Sequence, residues 1–128
     1  MIRVTSFHHA MNHYSHIHLG ELETMSRGNQ TFMVRMLQTC LKSIPEQMEI
    51  MQQALSADNR EEVKLAAHRL RPAFHYLGRA DISAQLEALE KAAYSDDRDV
   101  LLETITTLNT QAGHITNDAR AALEGMSA

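Results

Sequence analysis

The chain has 128 residues, enough for one domain around one hydrophobic core and too few for a complete nucleotide-driven kinase. Apolar residues make up 44% of it and aromatics only 5%, with eight Met, which favours packed helices over sheet and excludes a wholly disordered chain. Its 12 Lys and Arg against 16 Asp and Glu leave a net charge of -4, so nucleic acid is not the expected partner.

Residues 1–18 are polar, lack sustained periodicity and hold five of the eight histidines (His8, His9, His13, His16, His18), which predicts a loosely ordered arm. Leu19, Leu22 and Met25 at helical spacing, followed by Ser26-Arg27-Gly28-Asn29, predict a short helix and a turn. From Gln30 to Leu55, Phe32, Met36, Cys40, Ile44 and Met48 recur every four residues, joined by Met33, Leu37, Leu41, Met51 and Leu55, with Asn29 as the N-cap. Pro45 removes one backbone donor inside that run and predicts a kink near 41–45, or two helices meeting there.

After the break at residues 56–59 a helix is expected from Arg60 to Leu77, ended by Gly78 in a left-handed cap. Asp81 is the expected cap of the next helix, with Ile82, Leu86, Leu89 and Ala93 as its buried stripe. Asp96 or Asp97 opens the last, along which Leu101, Ile105, Leu108, Ala112, Ile115, Ala119 and Ala122 alternate by fours and threes. Short connections between long helices favour antiparallel neighbours. The expected fold is therefore all-α, an antiparallel up-and-down four-helix bundle over residues 19–125 preceded by a short N-terminal helix.

The helix from Arg60 carries the most informative face. At about 100° per residue with His68 at zero, Val63, Ala66, Leu70, Ala73, Phe74 and Leu77 fall between roughly 140° and 240°, which is the core side. Glu61, Lys64, His68, Arg71 and His75 fall within roughly 60° of zero, a stripe opposite the core. An exposed imidazole is largely neutral near neutral pH and keeps a nucleophilic nitrogen, so it can attack phosphorus without a general base. Arg71 one turn on and Lys64 one turn back are placed to offset the charge of an N-phosphorylated ring, with Arg69 and Arg79 adding positive charge nearby.

The run Leu65-Ala66-Ala67-His68-Arg69-Leu70-Arg71-Pro72-Ala73-Phe74-His75-Tyr76-Leu77-Gly78 resembles the signature of histidine-phosphotransfer domains. That signature has an Ala-His pair, an apolar residue two places after His, Lys at three, Gly at four, small residues next and a closing apolar-Gly pair. Ala67, His68, Leu70, Arg71, Ala73, Leu77 and Gly78 stand at the matching positions, and the similarity extends over about Leu19 to Leu123. Arg71 replaces the usual lysine, keeping the charge and offering a fork of donors. Pro72 replaces the usual glycine, and a compact ring there still keeps bulk away from the imidazole. The resemblance implies a phosphoryl carrier of two-component phosphorelays, with His68 as acceptor, Arg71, Lys64, His75 and Arg69 as phosphate or receiver contacts, and Ala67, Leu70, Pro72, Leu77 and Gly78 as motif support. It further implies receiver domains as partners, a monomer, no catalytic power of its own, and no cofactor beyond Mg2+ on the receiver.

Other readings stand beside this one. Pro72 also suits a bundle that keeps the fold as an adaptor and has lost transfer. His75 also reads as an ordinary surface residue or a second acceptor. The pairs His9–His13 and His16–His18 resemble metal-ligand spacings, although no carboxylate or thiolate accompanies them and no metal site is expected. Cys40, the only cysteine, sits in an apolar stripe and reads as core. No Gly-rich phosphate loop, Glu-x-x-His pairing or nucleophilic triad stands out. No stretch approaches the roughly 18 apolar residues that span a bilayer and no signal-peptide core is present, so a cytoplasmic, soluble protein is expected.

Overall fold

In a computed structural model the chain is described over residues 14–127; residues 1–13, and with them His8 and the His9–His13 pair, lie outside. Five helices are formed: α1 (Gly20–Ser26), α2 (Gln30–Ser56), α3 (Arg60–Tyr76), α4 (Ala80–Ala92) and α5 (Arg98–Ser127), with no strand among the described residues. None of these helices is long and apolar enough to cross a membrane.

Local chemistry sets most boundaries. Asn29 Oδ1 accepts from the Phe32 amide at 3.0 Å and Asn59 Oδ1 from the Glu62 amide at 3.1 Å, so each asparagine satisfies a free N–H at a helix start. At the end of α3, Gly78 takes φ 74 and two amides fold back, Gly78 N to His75 O at 3.1 Å and Arg79 N to Phe74 O at 2.8 Å. That is a Schellman closure. Asp58 (φ 54) closes α2 in the same way, with Asn59 N bonded to Ala54 O at 2.8 Å.

The connections at residues 57–59 and 77–79 are so short that consecutive helices must reverse. Helix α3 packs against both α2 and α4, while α5 lies mainly on α2 and barely meets α4. The core runs through Met33, Leu37, Ile44 and Met51 of α2, Leu70 and Phe74 of α3, Ile82 and Leu86 of α4, and Leu101, Ile105 and Ile115 of α5. Cys40 belongs to it: its Sγ lies 3.7 Å from the Ala73 carbonyl, and burial pushes the thiol up to about 11.

Two expectations change, and one that left two alternatives open is narrowed. The buried face of α2 begins at Met33 and Leu37, leaving Phe32 exposed, because a strict four-residue row drifts about 40° per step and has left the core side two steps before Cys40. Helix α2 also runs as one helix through Pro45 instead of dividing there. Asp81 does not cap α4: Arg79 occupies the N-cap position, no side chain among the described residues makes the cap bond, and Asp81 sits in the first turn. Arg79 Nε and Nη2 grip its carboxylate at 2.9 and 2.8 Å, and that hydrogen-bonded pair holds Asp81 below the usual carboxylate range.

The predicted arm ends earlier than residue 18. Ile17 and Leu19 are buried, and Tyr14 packs against the core. The His16 amide donates to Asp118 Oδ2 at 2.8 Å, its ring stacks on His114 with centroids 4.9 Å apart, and its carbonyl accepts from Arg79 Nη1 at 2.9 Å. The His18 amide donates to the Leu77 carbonyl at 2.9 Å. Residues 14–19 thus form a strap beneath the α3–α4 turn. Arg79, expected to add charge near His68, is committed to this strap and to Asp81. Among the described residues no three His, Cys, Asp or Glu side chains gather as metal ligands.

Candidate functional site

Helix α3 turns Val63, Ala66, Ala67, Leu70, Ala73 and Phe74 into the core. The side chain of His68, on the opposite face, is 66% exposed. The exposed face is flanked by α4, which the helical wheel of α3 alone does not reveal. His68 Nδ1 lies 2.9 Å from Glu90 Oε1, and the Glu90 side chain is only 13% exposed. A carboxylate accepts and cannot donate, so in the neutral ring the proton sits on Nδ1 and the lone pair on Nε2.

Arg71 is drawn to the same carboxylate. Its Nη1 donates to Glu90 Oε2 at 3.0 Å and its Nη2 lies 3.5 Å from Glu87 Oε2. Glu90 therefore bridges the two residues of α3 that the sequence singles out, one oxygen to each. Lys64 lies over Tyr94, with Nζ 5.8 Å from the ring centroid, a cation–π arrangement just beyond the C-terminus of α4. Arg69 pairs with Glu62 two turns back on its own helix at 3.0 Å. His75 Nε2 lies 3.1 Å from Glu21 Oε1, linking α3 to α1. Of the residues expected around His68, only Arg71 is brought to its carboxylate; Lys64, Arg69 and His75 each have a separate partner.

Beside His68 runs a groove of about 370 Å³ lined by His68, Arg71, Pro72, His75, Tyr76 and Ser83. Pro72 remains inside α3, which continues to Tyr76. Ala67 and Leu70 are fully buried and place His68 by packing behind it. Leu77 is likewise buried, and Gly78 has a second reason to be glycine besides its positive φ. A Cβ there would stand 2.1 Å from the His18 carbonyl oxygen and 2.7 Å from His18 Cβ. The closing glycine of the motif is thus where the strap crosses the bundle.

Glu90 and Glu87 are the residues that the sequence reading missed. Glu90 borders the apolar stripe of α4 next to Leu89, an ordinary place for a solvated carboxylate, and only the packing of α4 on α3 gives it partners.

The family model for the Hpt domain matches residues 35–124, which takes in most of α2, the whole of α3 and α4, and most of α5. Neither a curated protein nor a solved structure matches the chain at a significant level. With the matched region covering most of its length and folding as helices packed into a bundle around a solvent-facing histidine, the chain belongs to the Hpt domain family, the histidine-phosphotransfer domains of two-component systems.

Proposed function

We propose that the protein is a phosphoryl carrier in which Nε2 of His68 exchanges a phosphoryl group with the aspartate of a receiver domain. The observation that carries this reading is the Glu90–His68 hydrogen bond, because it leaves the lone pair on Nε2 of an exposed ring. In the accepting direction Nε2 attacks the phosphorus of the receiver's aspartyl phosphate, the P–O bond breaks, and its electron pair leaves with the aspartate. No proton has to leave Nε2, so no general base is required. The phosphorylated ring retains its Nδ1 proton, and Glu90 faces the positive charge that results. Return to an aspartate reverses these steps. The only metal ion in the reaction is the Mg2+ of the receiver.

Incubation with phosphorylated receiver domains, followed by 31P and 15N NMR of the isotopically labelled protein, tests this directly. The expected product is a single Nε2-phosphohistidine at residue 68. Phosphate on the other ring nitrogen, or on another histidine, would defeat the assignment.

The role of Glu90 gives a graded expectation. Glu90→Ala releases the tautomer and removes a charge-assisted hydrogen bond worth about 1.5–3 kcal/mol, so transfer should slow by about tenfold or more. Glu90→Gln keeps an acceptor oxygen and should fall between that variant and wild type. Stopped-flow transfer rates at fixed receiver concentration measure the order; equal rates in all three proteins would remove Glu90 from the mechanism.

A further inference from the structure

Arg71 is held but incompletely satisfied. Its two terminal nitrogens face Glu90 and Glu87, while Nε is buried and finds no hydrogen-bond partner among the described residues. A guanidinium presents its donors in a fixed fork, and a buried N–H without an acceptor costs free energy for as long as it stays so. The same side chain lines the groove beside His68. A phosphoryl group on Nε2 would bring three acceptor oxygens and close to two negative charges to the edge of that groove. Parallel hydrogen bonds from the Nε–Nη edge are the way in which arginine takes such a group.

The acids that hold Arg71 have other partners in place. Lys91 Nζ stands 3.7 Å from Glu87 Oε1, and Glu90 keeps the Nδ1–H of His68. Departure of Arg71 strands neither carboxylate, which lowers the cost of the move.

We infer that Arg71 has two positions: parked on Glu87 and Glu90 while His68 is bare, and turned through its Nε–H edge onto the phosphoryl group once His68 carries one. Glu87, which touches neither His68 nor the phosphoryl group, then sets how long the group stays by competing for Arg71. The inference rests on His68 being the acceptor. Its sign follows from the charge-assisted hydrogen bonds that Arg71 gives to the phosphoryl oxygens, which hold the phosphorylated ring itself against water.

Phosphoramidate tests this without a cognate partner: His68 Nε2 bonds to phosphorus as the P–N bond of the reagent breaks and ammonia leaves. The lifetime of the phosphohistidine toward water is followed by 31P NMR, and the Arg71 Nε–H resonance by 15N correlation. Phosphorylation is expected to shift the Arg71 resonance downfield in wild type. Glu87→Gln should lengthen the half-life by about two- to fivefold, the range that an exposed ion pair spans. Arg71→Ala should shorten it, and Glu87→Gln should add nothing in the Arg71→Ala background. Equal lengthening in that background would mean that Glu87 acts through charge alone and would overturn the inference. So would an unmoved Arg71 resonance, or a half-life unchanged or shortened by Glu87→Gln, on a labelled His68. Absence of any phosphohistidine at residue 68 in wild type would instead overturn the acceptor reading, and this inference with it.

Discussion

His68→Gln should abolish all acid-labile phosphate on the protein, while His75→Gln should keep it within a few-fold of wild type. Both side chains are exposed imidazoles lining one groove, and both sit beside a carboxylate, so exposure does not separate them. Which nitrogen is engaged does. His68 gives Nδ1 to Glu90 and keeps Nε2, the nitrogen farther from its own backbone, whereas His75 has Nε2 engaged by Glu21. Of the two, His68 therefore presents the nucleophile that a bulky partner reaches without colliding with the helix. Glutamine keeps an N–H donor at an exposed site, so the variant should lose no more than the about 1.5–3 kcal/mol of the Glu90 hydrogen bond, and an unchanged helical circular-dichroism spectrum shows that loss of label reports chemistry and not unfolding. Labelled receiver phosphate, an acid quench and a matched alkaline control distinguish phosphohistidine from phosphoester. Label surviving in His68→Gln would refute the assignment.

Gly78→Ala should be the most damaging single methyl in the chain. The residue adopts φ 74, where a Cβ costs about 1–2 kcal/mol, and the new carbon would stand 2.1 Å from the His18 carbonyl oxygen. Backbone cannot move aside as a flexible side chain does. Relief comes through displacement of the strap, with loss of the His18–Leu77 hydrogen bond and re-exposure of Ile17 and Leu19, two side chains each worth about 1.5–3 kcal/mol when fully buried. A destabilisation of about 3 kcal/mol or more is expected. Gly28→Ala is the internal control: its φ is 76, yet no described atom lies within 4 Å of the added carbon, so only the conformational cost applies. Urea unfolding of the two variants separates strain from collision, and equal losses would mean that the strap yields freely. Hydrogen exchange at the His18 amide should accelerate in Gly78→Ala alone.

Features written in local chemistry were legible in the chain itself. The caps at Asn29, the left-handed close at Gly78 and the apolar stripes of α3 and α5 depend on residues within a turn or two, and each was found where spacing put it. Features that depend on distant partners were not. Ile17 belongs to no helical period, and the partners that hold the strap come from far along the chain, as Arg79 and Asp118 do for His16 at separations of 63 and 102 residues. The candidate site divided in the same way: His68 and Arg71 followed from one helical face and a motif, whereas Glu90 and Glu87 acquired meaning only when α4 was laid against α3. Asp81 shows a local rule losing to a local competitor, since Arg79 two residues earlier takes the carboxylate that would have capped α4.

The lone thiol has a practical consequence. Cys40 is 2% exposed, its Sγ–H points at a backbone carbonyl of α3, and burial holds it in the protonated form, so neither an oxidant nor an alkylating reagent meets a thiolate in the folded protein. Its rate of modification is therefore a clock for opening of the α2–α3 interface. Read with a thiol-specific dye at several denaturant concentrations, that clock gives the opening free energy of the interface from native protein, with no mutation and no label installed beforehand.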